Sequence, residues 1–446
     1  MPLADDQVSL VQSSIPALEE HGTKITSTFY TTMLSENPSL RNIFNLTNQR
    51  TNSQPLALAS VLAAYATHIT NPSALAAPVE AINHRHVSLG VTAEQYNIVG
   101  TYLLRAMSEV LGAALTEELK GAWGAAYMEL AGMMIKAEEA MYERSQKERW
   151  EQPSKAVNGE GHAGASKETG SAEQHFRQCR VVKKEQEAED VVSLRFWPKD
   201  WEGQELPRYK PGQYVSVRVW IEREGVYQIR QYTLSDAPER ARKEGYRITP
   251  KRIGMVSEAL HQLKKGDEVD LSFPVGVFFF EEEGKMKLGG DEGEPAPLVL
   301  LSAGIGITPL LSILTSILPV AAAHEQTNGD KKERKISWIH SSKMANKRPF
   351  QNMLEGLGSQ HPQLRSKIFV TGPQASEKAS GVNFAGRMDL TKLDGEKDLY
   401  LDDGKTQYYL CGPGAFMESV GKTLKEMGVS EDRIKAEVFG VGNPSF

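Results

Sequence analysis

Apolar residues change their spacing once along this chain, and the change divides it. From about residue 5 to 148 they recur at helical intervals, interrupted at Asn37-Pro38, Asn71-Pro72 and Gly90. Residues 151–172 then run through glycine, serine and charge with almost no large apolar side chain, the composition of a flexible linker in which His162 has no evident role. Beyond it the period falls to two: Val215, Val217, Val219 and Ile221 alternate with Tyr214, Ser216, Arg218 and Trp220. Similar runs lie at Val191–Trp197, Gly245–Arg252 and Glu268–Phe273. Short strands divided by glycine and proline predict a small antiparallel barrel.

At 446 residues the chain exceeds one hydrophobic core, and about three domains are expected. A formal charge of −6 and a pI near 6.0, with no long basic run, argue against nucleic acid as a partner. The first residues lack a basic and apolar leader, and no run of about 18 apolar residues follows. A cytoplasmic protein with no membrane insertion is therefore expected. Cys179 and Cys411 fall in different parts of the chain, so neither a disulfide framework nor a thiolate cluster is expected.

Within the helical part, Pro78 to Gly90 reads as about three turns, opened by proline and closed by glycine. Stepping about 100° per residue places Val79, Ile82 and His86 in one sector and His84 nearly opposite. His86 is read as a haem ligand; a core histidine satisfied by one hydrogen bond is the plainer alternative. Glu138 borders the stripe Trp123, Tyr127, Leu130, Met134 and Met141, and Tyr96 opens the helix after Gly90. Histidine, tyrosine and carboxylate then suit one hydrogen-bonded set of the kind that orients a metal-bound imidazole. Tyr30 flanks the stripe Leu18, Ile25, Phe29 and Met33, either reaching a ligand or closing a core edge. Gln54 sits one turn before Leu58, in a site or at a plain helix start.

In the barrel, Arg230-Gln-Tyr-Thr-Leu-Ser235 places an arginine and an aromatic on one face of an extended segment, for a phosphate and a ring system. Gly254-Met-Val-Ser257 leads into the predicted helix Glu258–Leu263, whose first amides suit a pyrophosphate. Exposed strand residues and an ordinary helix cap would also account for both. Further on, Pro297 to Pro309 reads as a buried strand, a glycine turn and the apolar helix Leu310–Leu318, the opening of a doubly wound nucleotide fold. Strands at Lys335–His340, Lys367–Thr371 and Gln407–Cys411 follow, the last running into Gly412-Pro413-Gly414. Ser341, Ser342 and Lys343 suit a 2′-phosphate, although such a loop is usually just solvated.

A histidine-bearing helical domain, a barrel with Arg-x-Tyr-Thr-x-Ser, then Gly-x-Gly-x-Thr-Pro and Cys-Gly-Pro, in this order, resemble the flavohaemoglobins. Asn48-Gln-Arg, Ala64-Tyr-Ala, Glu94-Gln-Tyr-Asn-Ile-Val-Gly100, Tyr209-Lys-Pro-Gly-Gln-Tyr214 and Tyr409-Leu-Cys-Gly-Pro413 carry the likeness, which leaves mainly the linker uncovered. The resemblance implies an all-α globin domain over 1–150, a linker over 151–172, an antiparallel β-barrel FAD domain over 173–290 and an α/β doubly wound NAD(P)-binding domain over 291–446. It implies haem b, FAD and NADH or NADPH as cofactors, O2 and NO as small-molecule partners, and nitric oxide dioxygenase activity that detoxifies NO. A monomer is expected, and a lipid is a candidate occupant of the haem pocket.

By the same resemblance His86 is the proximal iron ligand, Tyr96 and Glu138 surround it, and Phe44 lies against the haem. Tyr30, Gln54 and Leu58 match the distal pocket, with Tyr30 donating to bound oxygen; Arg85 and Glu437 tune electron flow. Tyr214, Arg230, Gln231, Tyr232 and Thr233 match FAD contacts, as do Gly254, Met255, Val256 and Ser257 in a looser local pattern. Val438, Phe439, Gly440 and Val441 match the carboxy-terminal flavin segment, with Phe439 shielding the ring. Gly304, Ile305, Gly306, Ile307, Thr308 and Pro309 match the NAD(P) turn, although Ile307 replaces an expected glutamine and Thr233 an expected serine. A reductase of ferric chelates or hydroperoxides, and a haem-based O2 or NO sensor, are the competing readings.

Overall fold

Seven helices account for the first third of the chain, each with a local reason to begin or end. The computed structural model describes residues 3–149, 175–199, 201, 204–282, 294–318, 333–344, 347–372 and 382–439. The expected linker, Gly440 and Val441 lie outside them. The helices are α1 Asp5–Ser13, α2 Ile15–Glu36, α3 Leu46–Arg50, α4 Ser53–His68, α5 Ala76–Leu89, α6 Ala93–Leu111 and α7 Glu117–Arg149. Gly22 of α2 faces Ala59 of α4, and a Cβ there would lie in ordinary contact with that methyl group at 3.4 Å. Thr26 completes this crossing by donating to the Pro55 carbonyl at 2.8 Å.

Helix α5 ends as its sequence requires. Gly90 adopts φ 74°, a left-handed conformation that only glycine takes without strain, and the amides of Gly90 and Val91 turn back onto the carbonyls of Val87 and His86. Thr92 then opens α6, with Gln95 Oε1 accepting from its amide at 3.2 Å. A reversal this short is what returns Tyr96 to His86.

The chain forms two compact units, one of residues 1–179, 215–231 and 269–277, the other of residues 180–214, 232–268 and 278–446. The twelve strands among the described residues are β1 Arg177–Ala188, β2 Val191–Pro198, β3 Tyr214–Ile221, β4 Val226–Thr233, β5 Tyr246–Ile248, β6 Glu268–Leu271, β7 Leu298–Ala303, β8 Ile336–Ser342, β9 Leu364–Val370, β10 Phe384–Ala385, β11 Gln407–Gly412 and β12 Ile434–Val438. The first unit joins the helices to the run β4-β3-β6, in which Val217 pairs with Leu271 and Arg218 with Asp270, antiparallel. The strand expected over Gly245–Arg252 stops at Ile248.

The second unit contains the run β1-β2-β5 and a parallel sheet ordered β10-β9-β8-β7-β11-β12. Its helices are α8 Pro238–Glu244, α9 Met255–Gln262, α10 Ile307–Ile317, α11 Gln351–Gln360 and α12 Gly414–Glu426. Strand β7 is buried on both faces: Leu298 and Leu300 pack with Leu310 and Leu314 of α10, whereas Val299 and Leu301 pack with Met417 and Val420 of α12. Helices on both faces of a parallel sheet give the doubly wound arrangement, and the strand order reverses at β7, which has β8 on one side and β11 on the other. Arg195 and Arg247 face one another across β2 and β5, both buried. Asp236 pairs with both guanidinium groups and offsets what would otherwise be a like-charge cross-strand pair.

Candidate functional site

The proton arrangement around His86 fixes which ring nitrogen is free. Tyr96 donates its one hydroxyl proton to Glu138 Oε1 at 2.6 Å, so towards His86 it acts as an acceptor. His86 Nδ1 lies 2.8 Å from Tyr96 Oη and 2.9 Å from Glu138 Oε1, and both need a donor there. Nδ1 therefore carries the proton and Nε2 the lone pair. Burial first, then the Glu138 charge, pushes the Tyr96 phenol far above its usual range and keeps it protonated. Glu138 is 2% exposed on α7, while the next residue, Glu139, faces solvent.

A second tyrosine braces the first. Tyr127 donates to the Tyr96 carbonyl at 2.6 Å, and its ring passes over Gly100, where a Cβ would lie 2.5 Å from it. Two apolar clusters result in the helical part. Tyr96, Ala131 and Met134 pack with Val79 and Ile82 below the histidine; Tyr30, Phe29 and Met33 pack with Phe44 and Leu58 in the other. Tyr127 and Leu130 border both. The His86 side chain is 31% exposed, protonated at Nδ1 and bonded at Nε2 to none of the described residues, which fits a haem iron on the outer nitrogen.

Tyr30 is buried, with its ring 4.7 Å from Phe29 and 5.7 Å from Phe44. Burial raises the pKa of its phenol, partly offset by a hydrogen bond from the Gln54 side chain. Gln54, at the second position of α4, accepts from Gln49 Nε2 at 2.8 Å. Arg85 is half-buried and forms no ion pair with the described residues.

The face of α5 turned away from His86 meets strand β3, a contact the hydrophobic pattern does not reveal. Ser88 donates to the Arg85 carbonyl at 2.8 Å and accepts from Ser216 Oγ at 2.9 Å, both serines being fully buried. Gln231 Nε2 lies 3.5 Å from Ser88 Oγ and 3.4 Å from Ser216 Oγ. His84 accepts from the Gly276 amide at 3.1 Å, and Arg230 donates to Thr47 Oγ1 at 3.3 Å. Gln228 binds the Leu46 amide and the Arg41 carbonyl. Ser88 and Ser216 are ordinary residues in sequence; only their separation of 128 positions, closed by folding, gives them a role.

In the second unit Tyr214 and Tyr232 are half-buried, while Thr233 is buried. Ser257 Oγ takes the amides of Ile253 and Gly254 at 2.9 and 3.0 Å, so the Gly254 amide is already engaged. Met255 and Val256 open α9, and both side chains are buried. The glycine turn after β7 is built for contact on its inner side: Gly304 needs φ 56°, and a Cβ on Gly306 would lie 2.2 Å from the Cys411 carbonyl oxygen. Gly306 is thus required by packing against β11. Thr308 donates to the Ile305 carbonyl, closing the turn onto α10, where Ile307, Thr308 and Pro309 are buried. Glu437 and Val438 lie on β12 opposite Cys411 and Gly412, and Phe439 is 40% exposed beside them.

Gly306→Ala is expected to force β11 outward and to cost about 1–3 kcal/mol, the usual penalty of overpacking. Gly414→Ala, where a Cβ meets nothing within 4 Å, should leave stability unchanged. Urea unfolding of the two variants, followed by tryptophan fluorescence, compares them; equal midpoints would contradict the close approach at Gly306.

Family models match three stretches of the chain: globin over residues 27–134, the oxidoreductase FAD-binding domain over 178–280 and the oxidoreductase NAD-binding domain over 300–422. The chain is 38% identical over 447 residues to the flavohemoprotein of Bordetella pertussis, covering 99% of each. It is 36% identical to the flavohemoprotein of Chromobacterium violaceum, covering 98% of each. Among solved structures it resembles a flavohemoglobin from Malassezia yamatoensis with bound FAD and heme, at TM-score 0.75 and 27% identity, over 98% of this chain and 100% of that one.

Proposed function

The chain belongs to the flavohemoprotein family, and from that premise we propose that it is an NAD(P)H-dependent nitric oxide dioxygenase, joining NO and O2 into nitrate. The observation that carries this reading is the set of hydrogen bonds by which Tyr96 and Glu138 hold the Nδ1 proton of His86 and leave Nε2 as a donor. When bound, the haem supplies an iron centre for the two gases, the flavin a means of dividing an electron pair, and the nicotinamide the electrons.

The protein's own groups have distinct tasks. Glu138 makes the imidazole a stronger donor by drawing on its Nδ1–H, and Tyr96 keeps that carboxylate in place. Tyr30 offers a buried hydroxyl to a polar diatomic ligand, and Phe44 and Leu58 keep water from its surroundings. Arg230 and Gln231 on β4, with Tyr214, Tyr232 and Thr233, hold the flavin. Ser88, Ser216 and His84 keep α5 against the strands that carry Gln231. The turn Gly304–Pro309 receives the nicotinamide nucleotide.

The reaction consumes two NO and two O2 for each NAD(P)H and yields two nitrate, NAD(P)+ and a proton. Purified protein given NADH or NADPH, O2 and NO is expected to form nitrate equal to the NO consumed. Nicotinamide oxidation indifferent to NO, with no nitrate, would assign it to the reductase reading instead; gas binding without nicotinamide turnover would assign it to the sensor reading.

A further inference from the structure

One buried side chain ties the strand that carries Arg230 and Gln231 to the segment that carries Phe44. Gln228 lies on β4, two residues before Arg230 and so on the same face, and it is 0% exposed. Its Nε2 donates to the Arg41 carbonyl at 2.9 Å, and its Oε1 accepts from the Leu46 amide at 3.1 Å. Arg41 stands near the end of the 3-10 turn Pro38–Asn42, and Leu46 is the first residue of α3. A carbonyl at the end of one helical element and an amide at the start of the next lack partners in their own turns, and one carboxamide serves both. Between them is Phe44, half-buried, with its ring 5.7 Å from that of Tyr30.

Only a group that donates and accepts at once can hold both ends of the turn 41–46. A second tie joins α3 to the turn before β4, the ion pair of Arg50 with Glu224 at 2.7 Å, but the Arg50 side chain is 58% exposed and water can replace its partner. Gln228 is enclosed, so its loss leaves both backbone groups short of a partner. We propose that Gln228 is a positioning residue for electron passage from flavin to haem, fixing the haem-side segment 41–46 to the flavin-holding strand. The inference rests on the reading of Phe44 as a haem neighbour and of Arg230 and Gln231 as flavin contacts.

The test uses the full-length holoprotein, free of oxygen and under carbon monoxide, mixed with NADH or NADPH in a stopped-flow instrument. Flavin bleaching and the ferrous carbonyl band then report the two electron steps separately. In Gln228→Leu flavin reduction is expected at the wild-type rate and haem reduction slower by roughly tenfold, because small displacements of reacting partners are costly in rate. Gln228→Asn keeps the amide on a shorter side chain that cannot reach both ends, and its haem reduction is expected between the other two. Amide exchange over residues 41–46 should quicken in both variants and stay slow in Glu224→Gln, whose haem reduction should match the wild type. Equal slowing of flavin and haem reduction in the Gln228 variants would show a structural role only and overturn the proposal. So would haem reduction at the wild-type rate in either of them, or a loss in Glu224→Gln as large as that in Gln228→Leu. A wild-type haem that electrons from reduced flavin never reach overturns the electron-transfer reading itself, and this inference with it.

Discussion

Alanine in place of His86 is expected to abolish the haem Soret band, at about 400 nm, while flavin absorbance persists. The imidazole is tied inward at Nδ1 by Tyr96 and Glu138, so removing it deletes the donor on the opposite nitrogen. Among the described residues no group of three or more His, Cys, Asp or Glu side chains is placed to hold the metal instead. The substitution also leaves Glu138, 2% exposed, without one of its two donors, a cost of about 1–3 kcal/mol. His86→Gly supplemented with free imidazole should recover much of the band, because the same two partners remain to hold an added ring. Combining it with Glu138→Gln should weaken that rescue, since the carboxamide lacks the charge that holds the N–H. An unchanged Soret band in His86→Ala would overturn the ligand assignment.

The His86 arrangement is legible in the sequence because it follows from helical periodicity and one short loop. Val79, Ile82 and His86 share a face at 3.6-residue spacing, Gly90 ends the helix, and the two-residue return places Tyr96 beside the ring. Glu138 is marked by its position at the edge of an apolar stripe. The glycine turn after β7 is equally legible, but the reason for Gly306 is only partly so: its neighbour Cys411 comes from a strand about a hundred residues on. Strand β1 escapes a reading by periodicity, since Arg177–Ala188 is rich in charge and buries only Cys179, Val181 and Ala188. A sparse inward face leaves little alternation to detect.

The contacts behind α5 are illegible for a different reason. Ser88 with Ser216, His84 with the Gly276 amide and Gln228 with the Leu46 amide each join residues more than a hundred positions apart through single polar atoms. Such pairs have no period, and serine and glutamine are common on solvated faces. What burial reveals is their cost if unpaired: Ser88, Ser216 and Gln228 are each fully enclosed, so each needs the partner it has.

Phenylalanine in place of Tyr30 is expected to speed oxygen release and slow NO removal without disturbing the fold. The ring keeps its contacts with Phe29 at 4.7 Å and Phe44 at 5.7 Å, so the change deletes one hydroxyl and little packing. A hydrogen bond to a charge-bearing partner is worth about 1.5–3 kcal/mol, which makes oxygen dissociation faster by roughly ten- to a hundredfold. The pH dependence of the difference has a definite sign. Burial raises the Tyr30 phenol above its ordinary value, so the hydroxyl remains a donor well past the usual tyrosine range and is lost only above the raised value. The wild-type and Tyr30→Phe dissociation rates should therefore differ by a constant factor from neutrality to about pH 10, where an exposed tyrosine would already be half ionised. Stopped-flow displacement of oxygen across that interval measures it. Equal rates in the two proteins would remove Tyr30 from the site, while a factor that collapsed by about pH 10 would show that the phenol is not shielded as its burial requires.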